Sequence, residues 1–521
     1  MLRIIAVLFA ALGLLAAPTR VEAATAPAIE RRGATDQLIV DGEPFLILGG
    51  ELGNSSASSR EYMGPHWRIL RDMRLNTVLA PIYWDLVEPK EGAFDFSSVD
   101  WLIEDARAHD MRLVLLWFGT WKNSMSSYAP SWVKRDTSRF PRTLDAEGRA
   151  LEIISVFSGG ARDADARAFA ALMQHLKRID GERHTVIMVQ VENEVGFLPL
   201  AREYGPEADA AFARPVPHEL DPSGRSWRET FRDEAEERFM AWHYARFVQA
   251  VAAAGKAEYD LPMFVNGAQR RPGVVPGDYP SGGPLAHLAK EWQLGAPSVD
   301  FIAPDIYFPN FAGIVDGYAA AGVSPIFVPE ANRPSDKALT GNALRSIGRH
   351  KAIGFSPFAI EDASTGDAAR IAGLYAMLRQ LAPEILAAQA KDRIAGIGNP
   401  VSFEGGAELA PIEVALGPVK FTATTIDPWT PRDAQGPVSH GALLIWLGGE
   451  DYLAAGQGVT FTVGPVEGEG RMGLDFVEEG TFVEGEWLAG RRLNGDQTHQ
   501  GRHVRLPPGE FGIQRLRLYR Y

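Results

Sequence analysis

Eight apolar, strand-like runs recur along the chain up to residue 361, and helical patterns lie between them. The runs cover residues 44–51, 77–84, 112–119, 185–192, 262–267, 299–308, 325–330 and 352–361. Between the second and third runs, Val99, Leu102, Ile103 and Ala106 keep the spacing of an amphipathic helix. Strands that alternate with helices form parallel sheets, and eight such units close into a barrel. The sequence therefore predicts an α/β fold, with a (β/α)8 TIM barrel over about residues 44–390.

Beyond about residue 395 the long amphipathic helices stop, and Gly and Pro clusters separate short β-rich runs such as "ALLIWLGG" and "VTFTVG". This texture is typical of an antiparallel β domain, and we expect a sandwich-like arrangement. Before the barrel, the Asp41-Gly42 pair predicts a hairpin that closes the barrel floor. The predicted domains are a signal peptide over 1–23, a catalytic barrel with its N-terminal hairpin over 24–392 and a β domain over 393–521.

The first residues have the layout of a secretory signal. Arg3 precedes an apolar stretch over 4–17, and small residues around 21–23 predict cleavage after Ala23. The alternative is a membrane anchor, but a span needs about 20 apolar residues and this stretch is shorter. We expect a periplasmic or secreted protein with no membrane contact after the signal is removed. The chain has no cysteine, so disulfides and thiol catalysis are excluded.

The net charge of −14 disfavours a nucleic-acid partner, which would call for a basic surface to meet phosphates. A neutral substrate fits this charge better. The polar residues that follow the eight runs include no histidine, whereas metal sites on barrels usually draw on histidine. We therefore expect no metal and no cofactor.

Two carboxylates follow runs that lie roughly across the predicted barrel from each other. Glu194 follows the fourth run and Glu330 the seventh, at the end of the barrel where such folds build their active sites. Glycoside hydrolysis needs two carboxyl groups that flank the scissile bond, and a separation of about 5 Å selects the retaining mechanism. Glu51, after the first run, is interpreted as an acceptor for a sugar hydroxyl, with a buried ion pair as the alternative. Glu192 is expected to be structural, in a salt bridge.

The segment "VQVENEVG" (189–196) resembles the motif around the acid/base of glycoside hydrolase family 35, the β-galactosidases. Upstream, "LNTVLAPIYWDLVEPKEGAFDF" (75–96) resembles the second strand of that family, including its Trp-x-x-x-Glu-Pro and Gly-x-Phe-Asp-Phe elements. The resemblance covers most of the barrel. It is strongest to a bacterial branch that has a β-rich C-terminal domain and includes enzymes active on xyloglucan side chains.

This resemblance implies a role for each matching residue. Glu194 is implied as the acid/base, Asn193 as the amide that holds the sugar 2-hydroxyl, Glu330 as the nucleophile and Tyr307 as a contact of both nucleophile and substrate. The sequence departs from the family after the third run, where "FGTWKNSMSSYAPSW" (118–132) replaces the loop that fixes galactose. In that segment, the substrate contacts are expected to come from Trp121, Lys122 and Asn123.

These observations predict an exo-acting, retaining β-galactosidase that acts on a carbohydrate substrate. The alternatives are another retaining β-glycosidase of the same clan, a β-glucosidase or an endo-glycanase, and a non-catalytic carbohydrate-binding barrel. A metal-dependent barrel isomerase is the remaining alternative. The family resemblance implies that the C-terminal domain covers one side of the barrel or joins two copies, so a homodimer is also expected.

Overall fold

The computed structural model describes residues 25–493 and 495–521, so the predicted signal peptide lies outside the described residues. The described chain begins with a three-stranded antiparallel sheet of β1 (Ala28–Arg32), β2 (Thr35–Val40) and β3 (Glu43–Pro44). The β2–β3 hairpin turns through Asp41 and Gly42, which both have positive φ, of 53° and 83°. Asp41 is hydrogen-bonded to Arg112 and His184, beside the starts of two barrel strands. The hairpin therefore lies at the N-terminal end of the barrel.

Each of the eight predicted runs contributes one strand to a closed parallel barrel, which confirms the predicted fold class. Every observed strand overlaps its predicted run, and most ends differ by one to four residues because turns begin inside the apolar runs. The barrel strands are β4 (Ile47–Glu51), β5 (Thr77–Tyr83), β6 (Arg112–Lys122), β9 (Val186–Asn193), β10 (Met263–Ala268), β11 (Phe301–Ile306), β12 (Val328–Ala331) and β13 (Gly354–Pro357). A small hairpin of β7 (Arg142–Leu144) and β8 (Ala150–Ile154) lies in the connection between β6 and β9.

Helices surround the barrel, and their buried faces follow the predicted periodicity; in α4, for example, Val99, Leu102, Ile103 and Ala106 are buried. The α-helices are α1 (Arg60–Met63), α2 (His66–Asp72), α3 (Trp84–Val87), α4 (Ser97–Ala108), α5 (Ser131–Arg135), α6 (Gly159–Asp180), α7 (Pro206–Phe212), α8 (Trp227–Phe231), α9 (Ala235–Glu258), α10 (Ala289–Gly295), α11 (Phe311–Ala320), α12 (Leu339–Arg349) and α13 (Thr365–Ala390). Short 3-10 segments cover Ser56–Ser58, Arg232–Glu234, Ala286–Leu288, Ile360–Asp362, Arg432–Ala434, Pro437–Ser439 and Gly495–Thr498. Within the described residues, none of the helices combines the length and hydrophobicity needed to span a bilayer.

Two antiparallel sheets follow the barrel, in agreement with the sandwich-like expectation. The six-stranded sheet contains, in spatial order, β14 (Ile394–Gly398), β17 (Gly441–Gly448), β18 (Asp451–Gln457), β23 (Gly512–Arg520), β20 (Met472–Val483) and β21 (Glu486–Arg492). The four-stranded sheet contains β15 (Ile412–Leu416), β16 (Val419–Thr424), β19 (Val459–Pro465) and β22 (Val504–Leu506).

Part of the six-stranded sheet, around β17 and β18, is buried on both faces. Along β17, Ala442 and Leu444 pack into the core between the two sheets, whereas Leu443 and Ile445 join the core of the barrel. Successive side chains of a strand point to opposite faces, so this sheet forms a middle layer between the barrel helices and the second sheet. The helix that it covers, α12, is buried at every residue from 339 to 348.

Candidate active site

Four carboxyl groups meet where the barrel strands end. We call Glu51, Glu194, Asp305 and Glu330 the carboxyl cluster. Glu51 ends β4, Glu194 directly follows β9, Asp305 lies in β11, and Glu330 lies beside it in β12 as its register partner. All four are buried, with 1–5% of each residue exposed. Parallel strands deliver their C-terminal residues to one end of a barrel, which explains the convergence.

Glu330 lies among groups that can donate hydrogen bonds to it. The Tyr307 hydroxyl donates a hydrogen bond to Glu330 Oε1. Burial, followed by the charge of Glu330, raises the pKa of Glu51 well above its usual range. Neither Glu51 oxygen has a donor among the described residues, so a charge on Glu51 would be buried without compensation. Protonated Glu51 lies within hydrogen-bonding reach of Glu330 and can donate to it.

The surroundings of Glu194 raise its pKa. Burial and, next, the charge of Glu330 raise the pKa of Glu194 to about 7, although Lys122 lowers it. The Lys122 Nζ lies 4.0 Å from Glu194 Oε2, and the Asn123 side-chain amide donates to the same oxygen. A carboxyl group with a pKa of about 7 can both give and take a proton near neutral pH.

Asp305 is a member of the cluster that sequence reasoning missed. Its Oδ2 accepts a hydrogen bond of 2.5 Å from Asn266 Nδ2, and Asn266 Oδ1 accepts one of 3.0 Å from the Glu194 backbone N–H. Burial, followed by the charges of Glu330 and Glu194, raises the pKa of Asp305 well above its usual range. One signal was available, because Asp305 is the only charged residue in the run "FIAPDIYF" and lies two residues before Tyr307, on the same strand face.

The backbone around Glu194 is held in an uncommon conformation. Glu192 and Glu194 have positive φ values of 62° and 44°, and across the barrel rim Asn123 and Ser124 have 50° and 65°. Such residues cost about 1–3 kcal/mol each unless the surroundings enforce them. Here the two segments hold each other, because the Asn123 and Ser124 N–H groups donate to the carbonyls of Asn193 and Glu194, at 3.2 Å each.

The structure brings most of the predicted site residues together. Lys122 and Asn123 reach Glu194, while Tyr307 and Glu51 reach Glu330. Asn193 is the register partner of Lys122, and its side-chain Oδ1 and Nδ2 have no hydrogen-bond partner among the described residues. A buried amide in that state is what a ligand could satisfy.

Trp121 is the exception, and we withdraw it from the site. The residue was expected in a loop, but β6 continues through Lys122 because Glu192 accepts the Trp121 N–H at 2.7 Å. The indole is 1% exposed, packs against Tyr244 and Phe247, and donates to the carbonyl of Ile154. The ring therefore belongs to the packing between the barrel and α9 and offers no face to a sugar.

Glu192 is structural, as expected, but not through a salt bridge. It accepts backbone N–H groups of Thr120 and Trp121, at 3.2 and 2.7 Å, and lies beside the Asp165 carboxyl group. Burial and the charge of Asp165 raise the pKa of Glu192 well above its usual range. A raised pKa favours the neutral form of Glu192, which can lie beside a second carboxyl group without a cation.

The aromatic surface that Trp121 does not supply lies on the other side of the cluster. Tyr307 is 37% exposed, and its ring lies 5.9 Å from that of Phe358. The next residue, Phe308, lies 5.4 Å from Phe403 in the β14–β15 connection. We call Tyr307, Phe308, Phe358 and Phe403 the aromatic rim. It can contact the apolar face of a sugar, and one of its members comes from beyond β14.

Within residues 25–493 and 495–521, no group of three or more His, Asp or Glu side chains is arranged to hold a metal ion. The positive charge next to the carboxyl cluster is instead Lys122. A pair of carboxyl groups in one site can act as proton donor and nucleophile.

Residues 56–249 match the glycoside hydrolase family 42 model, described as "Beta-galactosidase". Residues 371–505 match a "Domain of unknown function (DUF5597)". The first match includes Asn123 and Glu194 and ends before Glu330. The sequence motifs were interpreted as those of glycoside hydrolase family 35. That family number was wrong, because the family model that matches is that of family 42. The coarser likeness, to β-galactosidases among glycoside hydrolases, agrees with the sequence analysis.

A "Beta-galactosidase" of Xanthomonas manihotis is 30% identical over 172 residues, which is 31% of this chain and 25% of that protein. The chain thus spans about a quarter of the curated relative that it matches. Two similar solved structures are β-galactosidases. The one from Marinomonas ef1 has 12% identity and a TM-score of 0.49, and the match covers 65% of this chain and 60% of that chain. The one from Bacillus circulans sp. alkalophilus has 15% identity and a TM-score of 0.47, and the match covers 66% of this chain and 57% of that chain.

Proposed function

We propose that the protein is an exo-acting, retaining β-galactosidase, with Glu194 as acid/base and Glu330 as nucleophile. One observation carries the proposal: two buried carboxyl groups lie at one end of the barrel, one with a raised pKa and the other beside hydrogen-bond donors. Glu194 has a raised pKa of about 7, whereas Glu330 accepts from Tyr307 and can accept from protonated Glu51. Such a difference separates the proton donor from the nucleophile.

In the first step Glu330 attacks the anomeric carbon, and Glu194 protonates the departing glycosidic oxygen, so that the glycosidic C–O bond breaks as the glycosyl-enzyme ester forms. Once Glu330 is esterified, its negative charge is gone, and the pKa of Glu194 falls because that charge had raised it. Glu194 is then held as the carboxylate, the form that can take a proton from the incoming water. The water oxygen bonds to the anomeric carbon as its bond to Glu330 breaks, which releases the sugar and restores both carboxyl groups.

Exo action and the choice of sugar rest on the depth and lining of the site. The cluster residues are at most 5% exposed, and Tyr307 stands at the mouth, which suits a terminal sugar better than the middle of a polymer. Asn193 offers an unpaired amide, and Lys122 offers an ammonium group, for sugar hydroxyls. Family 42 and its β-galactosidase relative support galactose as that sugar.

The nucleophile is tested with Glu330→Gln. We expect turnover of an aryl β-galactoside to fall at least about 10⁴-fold, since the covalent step is lost. Tyr307→Phe is the matched control, because it removes only the hydrogen bond to Glu330 and should leave measurable activity. Near wild-type turnover by Glu330→Gln would refute the assignment. Proton NMR of the first product tests retention, which requires the β-anomer to appear before mutarotation.

The acid is tested with Glu194→Gln on two leaving groups. Hydrolysis of a galactoside with a poor, alkyl leaving group should fall far more than that of dinitrophenyl galactoside, because only the former needs protonation. Added azide should restore turnover of the activated substrate and yield a β-galactosyl azide. Equal losses on both substrates contradict the acid role.

The sugar is tested with a panel of nitrophenyl glycosides. The β-galactoside should be hydrolysed with the highest kcat/KM, whereas a preference for the β-glucoside favours a different clan activity. Binding without hydrolysis of any member favours the carbohydrate-binding alternative. We further propose that the protein is exported, which fractionation of the source cells and N-terminal sequencing after Ala23 would test.

A further inference from the structure

A tryptophan on the C-terminal sheets is exposed without an evident structural need. Trp429 lies in the connection between β16 and β17, and 48% of its surface is accessible. No other tryptophan in residues 25–493 and 495–521 is exposed to this degree. An aromatic ring that stays open beside polar groups can stack on a ligand while those groups bond to it.

The segment that carries this ring is rigidly held. Arg505 donates two hydrogen bonds to the Asp427 carboxylate, at 2.9 and 2.7 Å. The Gln435 side chain accepts from the Asp427 N–H at 2.8 Å and donates to the carbonyls of Asp427 and Thr430, at 2.9 and 2.7 Å. A ligand that binds at Trp429 therefore loses little free energy in ordering the loop, because these hydrogen bonds already hold the loop in place.

The ring forms one wall of an open pocket of about 380 Å³. The His503 ring lies 4.7 Å from the indole and the His499 ring 5.7 Å, edge-on. The other lining residues are polar: Asp496, Gln497, Gln500 and Arg505. An aromatic platform bordered by planar amide and carboxylate groups can stack on the apolar face of a sugar ring while it bonds the hydroxyls.

The charges of the pocket favour a neutral ligand. Arg505, the one Lys or Arg that lines it, is neutralised by Asp427 in a bidentate pair. Asp496 adds a negative charge at the wall. A phosphate, sulfate or uronate would meet this carboxylate, and the cation left to offset it is Arg502, which contacts His499 at 3.2 Å; a neutral sugar needs only donors and acceptors.

One end of the connection that carries Trp429, residues 437–440, lies at the same end of the barrel as the carboxyl cluster. Helix α12 follows β12, the strand of Glu330, so its first turn lies at that end. A side chain on Gly341, in that turn, would approach the carbonyls of His440 and Val438 to 3.0 and 3.5 Å. The Pro437 carbonyl accepts from Asn399 in the connection that leads to the aromatic rim. The segment that leads from Trp429 into β17 is therefore anchored at the active-site end of the barrel.

We propose that Trp429, Gln497 and Gln500 form a second carbohydrate-binding site, separate from the catalytic one, which holds a neutral polysaccharide whose side-chain ends reach the barrel. This site goes beyond the proposed hydrolysis, and binding at it requires no catalysis.

The test is affinity electrophoresis of the full chain carrying Glu330→Gln, so that the polysaccharide stays intact. Native gels contain xyloglucan, β-1,4-galactan or polygalacturonate. We expect a neutral polysaccharide to retard the parent, and Trp429→Ala to weaken that retardation at least about tenfold. Tyr519→Ala, which removes an aromatic ring of similar exposure (44%) from the same sheets, is the matched control and should be retarded like the parent.

Equal retardation of the parent and Trp429→Ala overturns the proposal, as does retardation by polygalacturonate alone or by none of the three. Gln497→Ala gives a second reading, because its side chain lines the pocket and makes no packing contact that the fold requires; it should also weaken retardation. In the chain with Glu330 intact, Trp429→Ala should hydrolyse an aryl galactoside at the wild-type rate. If the wild-type chain does not hydrolyse an aryl galactoside, the proposed function is refuted, but the binding result still stands.

Discussion

Replacing Lys122 with methionine should shift the pH dependence of catalysis in a direction that the structure fixes. The ammonium group lies 4.0 Å from Glu194, and the two side chains are 6% and 7% exposed. At that distance opposite charges attract by about 4 kcal/mol with an effective dielectric constant of about 20, equivalent to about three pKa units. The other members of the carboxyl cluster share this charge, so we expect a net rise of at least about one unit.

The sign follows from the role of each group. Lys122 favours the charged form of Glu194, so its removal raises the pKa of that carboxyl group above about 7. An acid catalyst must be protonated, and the alkaline limb of the kcat profile should move upward with it. At pH 8 about a tenth of Glu194 is protonated at a pKa of about 7, but about half at a pKa of about 8. Relative to its own plateau, the variant should therefore gain about fivefold at that pH.

The assay is kcat against pH with a galactoside whose leaving group needs protonation. The plateau rate of Lys122→Met will also fall if the lysine binds sugar, but the position of the limb does not depend on that loss. Lys122→Arg keeps the charge and is the control, with a limb close to the wild-type position. An alkaline limb that stays in place in Lys122→Met refutes the electrostatic argument.

Two further predictions separate structure from function. Trp121→Ala should lower the free energy of unfolding by about 3–5 kcal/mol, the usual cost of emptying a buried aromatic site, while Trp121→Phe should leave the KM for an aryl galactoside unchanged; a raised KM at unchanged melting temperature would return Trp121 to the sugar site. Burial raises the pKa of Glu203 to about 8 in the folded protein, from about 4.5 when unfolded. Between these pH values only the folded chain keeps the proton, so stability falls as pH rises. Glu203→Gln should therefore gain melting temperature over the wild type between pH 5 and 8; parallel curves would contradict this.

The barrel could be predicted from the sequence because a parallel strand buried on both faces produces a near-continuous apolar run that is hard to mistake. Run 299–308 shows the limit of that signal, since its strand ends at Ile306 and Tyr307 already lies in the turn. Strand ends depend on turns and on neighbours, which a hydrophobic run does not encode.

The site was harder to predict from the sequence than the barrel, for a related reason. Glu194 and Glu330 could be found because strand order alone brings them to one end of the barrel. Trp121 and Asp305 could not be assigned correctly, since the direction of a side chain depends on how far its strand continues. Two more residues of β6, held by Glu192, turned the Trp121 indole towards α9. Asp305 faces inward in β11. From that run of the sequence, only Tyr307 had been predicted as a site residue.

Helix α12 has a consequence for how such a chain can evolve. In an ordinary barrel the outer helices keep one solvent-exposed face, so the barrel is stable without a further domain packed on it. Here residues 339–348 are buried all round, and Gly348 approaches Gly396 of β14 so closely that a side chain would meet its backbone at 2.4 Å. A barrel cut before β14 would bring this helix into water and lose the Phe403 part of its rim. The barrel and the C-terminal sheets therefore depend on each other for the burial of α12, and we expect exchange of either part between relatives to be poorly tolerated.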